Sequence, residues 1–257
     1  MNRLLHKSIL SIFTVLFTVF VYSQRPEADT FETSNGELTV QPVLHGTLVL
    51  TYNDKVIYID PYGGANAFSG IAAPDLIMIT DIHGDHLNEG TLDAVKAEGV
   101  TIIAPQAVAD KISEKYKAQI KIVGNDESMK LFDIHIKALP MYNLPESADA
   151  KHTKGRGNGY VLEMGKKKVY ISGDTAGIDE MRNLQNIDIA FVCMNLPYTM
   201  DVNEAASAVL DFKPAIVYPY HYRGKPDMSD TEVFRSLVNK NDQDIEVRLR
   251  NWYPDYN

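Results

Sequence analysis

Asp81, His83, Asp85 and His86 fall within six consecutive positions, directly after the apolar run Leu76-Ile77-Met78-Ile79. Imidazole nitrogen beside carboxylate oxygen suits Zn²⁺, Mn²⁺ or Fe, whereas Ca²⁺ and Mg²⁺ sites are built from oxygen alone. The four side chains are too close for one helix face and too irregularly spaced for one strand face, so a loop has to splay them. Gly84 suits a loop that needs a positive φ or a close approach of backbone to an ion. Asp and His are common in ordinary loops too, but two of each after a buried strand point to a metal or catalytic site.

The elements that must hold this loop follow from periodicity. Residues 76–79 read as a strand buried on both faces, and α/β proteins place their chemistry where such a strand meets solvent. Upstream, 38–44, 47–52 and 56–59 read as an antiparallel meander with a turn at Asn53-Asp54, ending in Asp60-Pro61. His45-Gly46-Thr47 lies between two of these strands, where a structural role at the hairpin is favoured over ligation. Downstream, the spacing predicts a helix over 91–98 ended by Gly99, a strand over 100–104 and a helix over 107–117 after Pro105. This alternation implies parallel strands covered by helices.

Residues 120–123 and 129–138 return to strand periodicity, and His135 between Ile134 and Ile136 is expected to face solvent. Residues 139–158 form the longest irregular stretch, of the kind that is usually functional or disordered. A hairpin over 159–164 and 168–172 follows, then a helix near 178–184 and a buried strand over 187–194. Asp201 is placed to cap a helix over 202–212, with Glu204 three residues on. A strand over 215–218, a helix capped by Ser229 or Asp230 and a closing strand over 245–249 complete the chain, in which no repeat is visible.

Thr80 to His86 resembles the His-x-His-x-Asp-His signature of the metallo-β-lactamase superfamily, with Asp81 in place of the first His. His152-Thr153-Lys154-Gly155, Gly173-Asp174-Thr175 and Tyr220-His221-Tyr222 resemble, in order, the later segments that supply a third His, a bridging carboxylate and a strand-end His. The resemblance spans 38–252 and implies an α/β fold, a four-layered αββα sandwich. It implies that Asp81, His83 and His152 hold one metal, that Asp85, His86 and His221 hold a second, and that Asp174 bridges them. Two ions about 3.5 Å apart would share a water, lower its pKa and stabilise the charge that develops on an attacked carbonyl or phosphoryl group. Asp85 and Asp174 are then the catalytic candidates, Asp85 by holding or deprotonating that water.

Zinc is the first choice of ion, with Mn²⁺ or Fe open, because Asp81 adds a negative charge and a harder donor than His. Whether one or two ions bind stays open. For the third His position, Asn143 or water is the alternative to His152. The subgroup most resembled is that of small hydrolases related to ascorbate-6-phosphate lactonase and N-acyl phosphatidylethanolamine phospholipase D. The function implied is hydrolysis of an ester, lactone or phosphodiester in a small-molecule substrate. The alternatives are a metal-binding protein of the same fold with little turnover, and a di-iron oxidoreductase, which would call for a flavin partner domain not found here.

Composition sets the frame for this reading. Residues 1–23 read as an export signal: Arg3, His6 and Lys7 precede an almost wholly apolar stretch, with cleavage expected near Ser23-Gln24. An uncleaved membrane anchor is the alternative; without a Cys at the junction, lipidation is not expected. Residues 24–36 read as a linker and 37–257 as one hydrolase domain, periplasmic or secreted, with no membrane insertion after cleavage and no readable oligomeric state. Cys193 is the single cysteine, so no internal disulfide can form. The formal charge of −9 becomes −11 once Arg3 and Lys7 leave with the signal, which disfavours nucleic acid as a partner. Lys151, Lys154 and Arg156 form a local basic patch beside His152.

Overall fold

The computed structural model describes residues 25–254, and the expected export signal over 1–23 lies outside the described residues. Two sheets of seven strands each form the centre. The first sheet runs β1 (Asp29–Thr33), β2 (Gly36–Leu44), β3 (Thr47–Tyr52), β4 (Lys55–Ile59), β5 (Leu76–Met78), β6 (Thr101–Ala104) and β7 (Ile120–Ile122). The second runs β8 (Ser128–Leu131), β9 (Ile134–Met141), β10 (Gly157–Met164), β11 (Lys167–Ile171), β12 (Ile189–Cys193), β13 (Ile216–Tyr220) and β14 (Glu246–Val247). In each sheet the first four strands pair antiparallel and the rest parallel. The two halves share one plan although the sequence shows no repeat.

Alternation along the strands builds the layers. Leu48 and Leu50 of β3, Ile57 and Ile59 of β4, and Leu76 and Met78 of β5 point between the sheets. Val49, Tyr58 and Ile77 point outward, against helices α2 (Glu89–Ala94), α3 (Gln106–Lys111) and α4 (Glu114–Lys117). A short α1 (Gly64–Ala67) lies beside α2. On the far side α5 (Asp179–Arg182), α6 (Val202–Phe212) and α7 (Thr231–Asn241) pack their buried residues on the second sheet. The result is the αββα sandwich that the resemblance implied. Each large apolar side chain fully buried this way contributes about 1.5–3 kcal/mol.

Several local expectations are corrected. Residues 29–33, read as linker, form β1, because Phe31 packs on the core and every residue from Asp29 to Thr33 pairs with β2. The single helix expected over 107–117 breaks at Ile112, whose extended backbone (ψ 148°) separates α3 from α4. The strand expected over 129–138 turns back at Phe132 and Asp133, both at positive φ, and becomes the β8–β9 hairpin. The two stretches read as strands on either side of 124–126 fall in different sheets, β7 in the first and β8 in the second. By contrast α6 has the expected bounds, and the Asp201 side chain accepts the Glu204 backbone N–H at 2.8 Å. Asp230, rather than Ser229, caps α7. Among the described residues no helix is long and apolar enough to cross a membrane.

Candidate metal centre

The site forms where the parallel strands of both sheets end. β5 leads into 80–86, β11 into Asp174, β13 into His221 and β4 into Asp60. His152 arrives from the connection between β9 and β10. The structure thereby brings Asp81, His83, Asp85, His86, His152, Asp174 and His221 to one cleft. Three clusters can hold an ion, the last two sharing His221: Asp81, His83 and His152; His86, Asp174 and His221; and His45, Asp85 and His221.

Spacing within these clusters matches ligation. Asp174 Oδ2 lies 3.4 Å from His86 Nε2 and 3.3 Å from His152 Nε2, and its Oδ1 lies 3.4 Å from His221 Nε2. Asp85 Oδ2 is also 3.4 Å from His221 Nε2. Ligand atoms about 2.0–2.1 Å from a tetrahedral ion are separated by roughly 3.3–3.4 Å, the same spacing. Moreover, His86 Nε2, both ring nitrogens of His152 and of His221, and Asp174 Oδ1 are buried without a hydrogen-bond partner. Buried polar atoms are rarely left so, and four of them, His86 Nε2, His152 Nε2, His221 Nε2 and Asp174 Oδ1, gather at one cleft, which fits a group that accepts their lone pairs. The residues present therefore fit a metal.

Supporting residues fix the orientation of the ligands. The Asp60 carboxylate accepts from the Thr80 backbone N–H at 2.7 Å and from the Thr80 hydroxyl at 2.5 Å, and its Oδ2 lies 2.8 Å from His86 Nδ1. A carboxylate on one imidazole nitrogen aims the other into the site. A Cβ at Gly46 would lie 2.8 Å from His221 Cδ2, so only glycine lets the β2–β3 hairpin approach that ring. Gly173, at φ 60°, turns the chain just before Asp174, and a Cβ there would meet Met141 Sδ at 2.4 Å.

Electrostatics follow from this crowding. Burial works against the charged form of Asp174, yet His221 and His86 hold its carboxyl well below the usual range. Burial likewise opposes charge on His86, but Asp174 and Asp60 raise it well above an ordinary imidazole. For Asp81, burial is outweighed by the His83 hydrogen bond and the charges of His86, His83 and Arg156, and the carboxyl sits at about 2. Three carboxylates in one cleft demand positive charge.

Two residues take parts in the site that the sequence did not assign to them. His45, read as a hairpin residue, lies 3.0 Å through Nε2 from Asp85 Oδ2 and 2.7 Å through Nδ1 from the Tyr253 hydroxyl, and it packs on His221 with ring centroids 3.8 Å apart. Burial pushes its imidazole down to about 4, so it is neutral at pH 7. The signal for it was Asp60-Pro61 one strand away, because β3 and β4 pair antiparallel and set the two strand ends side by side. Arg156, read as part of a basic patch, donates from Nε to Asp81 Oδ1 at 3.1 Å and from Nη2 to Oδ2 at 3.0 Å. The negative charge that Asp81 was expected to add is thus matched by a guanidinium. Asn143 is not aimed as a ligand: its Oδ1 accepts the His152 backbone N–H at 2.9 Å and its Nδ2 donates to Tyr198 O at 2.8 Å. His135 is exposed between buried Ile134 and Ile136, as its strand phase requires.

A two-sheet sandwich with His and Asp converging at the strand ends defines the class, and a β-lactamase superfamily domain matches residues 57–222. The chain belongs to the metallo-β-lactamase superfamily. It is 34% identical over 195 residues to a UPF0173 metal-dependent hydrolase of Pyrococcus horikoshii, covering 72% of this chain and 85% of that one. The crystal structure of a protein described as a metal-dependent hydrolase, from Parabacteroides distasonis, superposes with a TM-score of 0.77 at 36% identity, over 88% of this chain and 98% of the other. Igni18, a metallo hydrolase of Ignicoccus hospitalis, shares the fold with a TM-score of 0.70 at 23% identity, over 82% and 94% of the two chains.

Proposed function

We propose that this member of the superfamily is an exported hydrolase that cleaves an ester, lactone or phosphodiester bond of a small molecule at a dinuclear metal centre, with zinc first and Mn²⁺ or Fe as the other ions the donors suit. Asp81, His83 and His152 would hold one ion, Asp85, His86 and His221 the other, and Asp174, with its two oxygens facing imidazoles of both sets, would join them. Bound ions supply Lewis acidity: they lower the pKa of water and offset negative charge on the attacked group. The observation that carries the reading is the set of buried imidazole and carboxylate atoms without partners, spaced as ligands are.

The chain's own groups do the rest. Asp60 and Thr80 hold the His86 ring so that Nε2 faces the cleft. Asp85 is the one of the two catalytic carboxylates with an open side, its side chain 33% exposed, so it accepts a hydrogen bond from the attacking water and orients it. His45, hydrogen-bonded to the same Asp85 oxygen, keeps that carboxylate turned towards the cleft. Hydrolysis of a panel of carboxylic and phosphate esters, with and without chelator, tests the reading alongside metal analysis. Two equivalents of metal and chelator-sensitive turnover are expected. Asp174→Ala should remove most of the metal and lower kcat/KM at least about a thousandfold while circular dichroism stays native. Unchanged turnover in that variant sinks the bridging role.

A second reading has its own observation. Both Asp81 oxygens accept from Arg156, and Oδ2 lies 2.7 Å from His83 Nδ1 as well, so this half of the site is neutralised without an ion. A chain that holds one ion and turns over little follows from that, and one equivalent of tightly bound metal with no hydrolysis would select it. Export is tested by N-terminal sequencing of the mature protein, with Gln24 expected as the first residue.

A further inference from the structure

We infer that the substrate carries a carboxylate or phosphate group apart from the bond that is cut, and that Lys151 and Lys225 hold it at the mouth of the cleft. The inference rests on the hydrolase reading for the word substrate; the binding of the anion stands on the following geometry.

The cleft has a volume of ≈ 370 Å³, a size suited to a small molecule. Its floor is made by His and Asp side chains, buried except for the partly exposed His83 and Asp85, whereas Lys151 and Lys225 are exposed where it opens. In a chain of net charge −9, three cations line this one opening, and the lining carboxylates among the described residues, Asp85 and Asp174, both belong to the floor. Lys55, Lys154, Lys167 and Lys213 are each paired with a carboxylate. Among the described residues no such ion pair is made by Lys151 or Lys225. Cations set around a concave, low-dielectric site focus its potential on an incoming anion.

Backbone contacts fix these cations relative to the floor. The Lys225 N–H donates to Leu196 O at 2.7 Å, and a Cβ at Gly224 would lie 2.1 Å from that same oxygen, so the two segments are locked together. Tyr198, two residues on, is tied by Asn143 to His152, and Lys225 Nζ lies 5.9 Å from the Tyr198 ring centre. Arg223 packs its guanidinium 5.6 Å from the Tyr253 ring centre, and Tyr253 in turn hydrogen-bonds His45. Lys151 precedes His152 directly. The anion-binding groups and the metal-binding groups are therefore one connected structure.

The test uses the metal-loaded full-length mature protein and the p-nitrophenyl esters of butyric, succinic and 3-phosphonopropionic acid, which differ in a neutral, carboxylate or phosphonate end. Wild type should favour the charged esters, the carboxylate or phosphonate arm showing which group fits, and Lys151→Ala/Lys225→Ala should reduce the charged-to-neutral ratio of kcat/KM about tenfold. Equal rates on all three esters, or a parallel fall on all three in the double variant, overturns the inference and leaves the hydrolase reading standing. Absence of turnover on every ester removes only the carboxylic-ester form of the hydrolase reading and leaves lactones and phosphodiesters. Calorimetric titration with inorganic phosphate then decides: an affinity about tenfold weaker in the double variant supports the anion site, and an unchanged one overturns it.

Discussion

Asp81 is 0% exposed, and a carboxylate so placed is stable only if its charge is matched. Arg156 matches it with two parallel hydrogen bonds, a geometry that a guanidinium provides and an ammonium does not. When an ion is bound beside Asp81, the carboxylate has a second source of positive charge. Arg156→Ala is therefore expected to destabilise the chelated protein by about 2–3 kcal/mol, discounted for the partial exposure of the arginine, and the metal-loaded protein by less. Urea unfolding in chelator and in excess zinc measures both, and equal losses would show that Asp81 does not face the ion. Arg156→Lys should recover only part of the loss. Cys193, fully buried with its thiol pushed up to about 12, plays the part of a small apolar residue, as its place in a buried strand suggested.

The connection between β9 and β10 carries His152 and Arg156, and it is ordered by Asn143 more than by secondary structure. Asn143 exchanges backbone hydrogen bonds with His152 at 2.9 Å in both directions, one through its own N–H and one through its side chain, and it reaches across to Tyr198. Its side chain thus positions His152, one of the proposed ligands, through that residue's backbone. Asn143→Ala should weaken metal binding about 10–100-fold, as loss of a ligand-orienting partner does, with secondary structure unchanged. Competition titration against a chromogenic chelator reads this, and an unaltered affinity would assign the order of the loop to other contacts. β9 offers the control. His135→Ala, on the exposed face of that strand, should leave metal content and unfolding midpoint within error, and a loss of metal there would contradict the strand phase.

At the scale of the molecule, the first sheet delivers Asp60, Asp81, His83, Asp85 and His86, and the second delivers Asp174 and His221. Candidate ligands from opposite sheets meet at 3.4 Å, His86 with Asp174 and Asp85 with His221, so an ion here would tie the two halves of the sandwich together. Metal present at a thousand times its dissociation constant stabilises the folded state by about 4 kcal/mol. For a domain of this size that corresponds to roughly 10 °C in melting temperature. Calorimetric scans of chelated and zinc-loaded protein should differ by that amount. A difference near zero would mean that the folded chain does not hold zinc in preference to the unfolded one.

By itself the sequence determined what lies within a short window: the ligand loop after β5, the alternation that sorts β3, β4 and β5 into inner and outer faces, and the Asp201 cap that starts α6. These depend on neighbours a few residues apart, and the ordered segments around His152, Asp174 and His221 were legible by their likeness to a known family. The tertiary structure alone decided that Arg156 answers Asp81 across 75 positions and that His45 meets Asp85 across 40. It also decided that residues 29–33 are a strand, since a polar segment with no pattern of its own becomes β1 only when an open edge of β2 is there to pair with it. Each of these contacts is set by strand order and by how two sheets are laid face to face, and neither leaves a mark in any local stretch of chain.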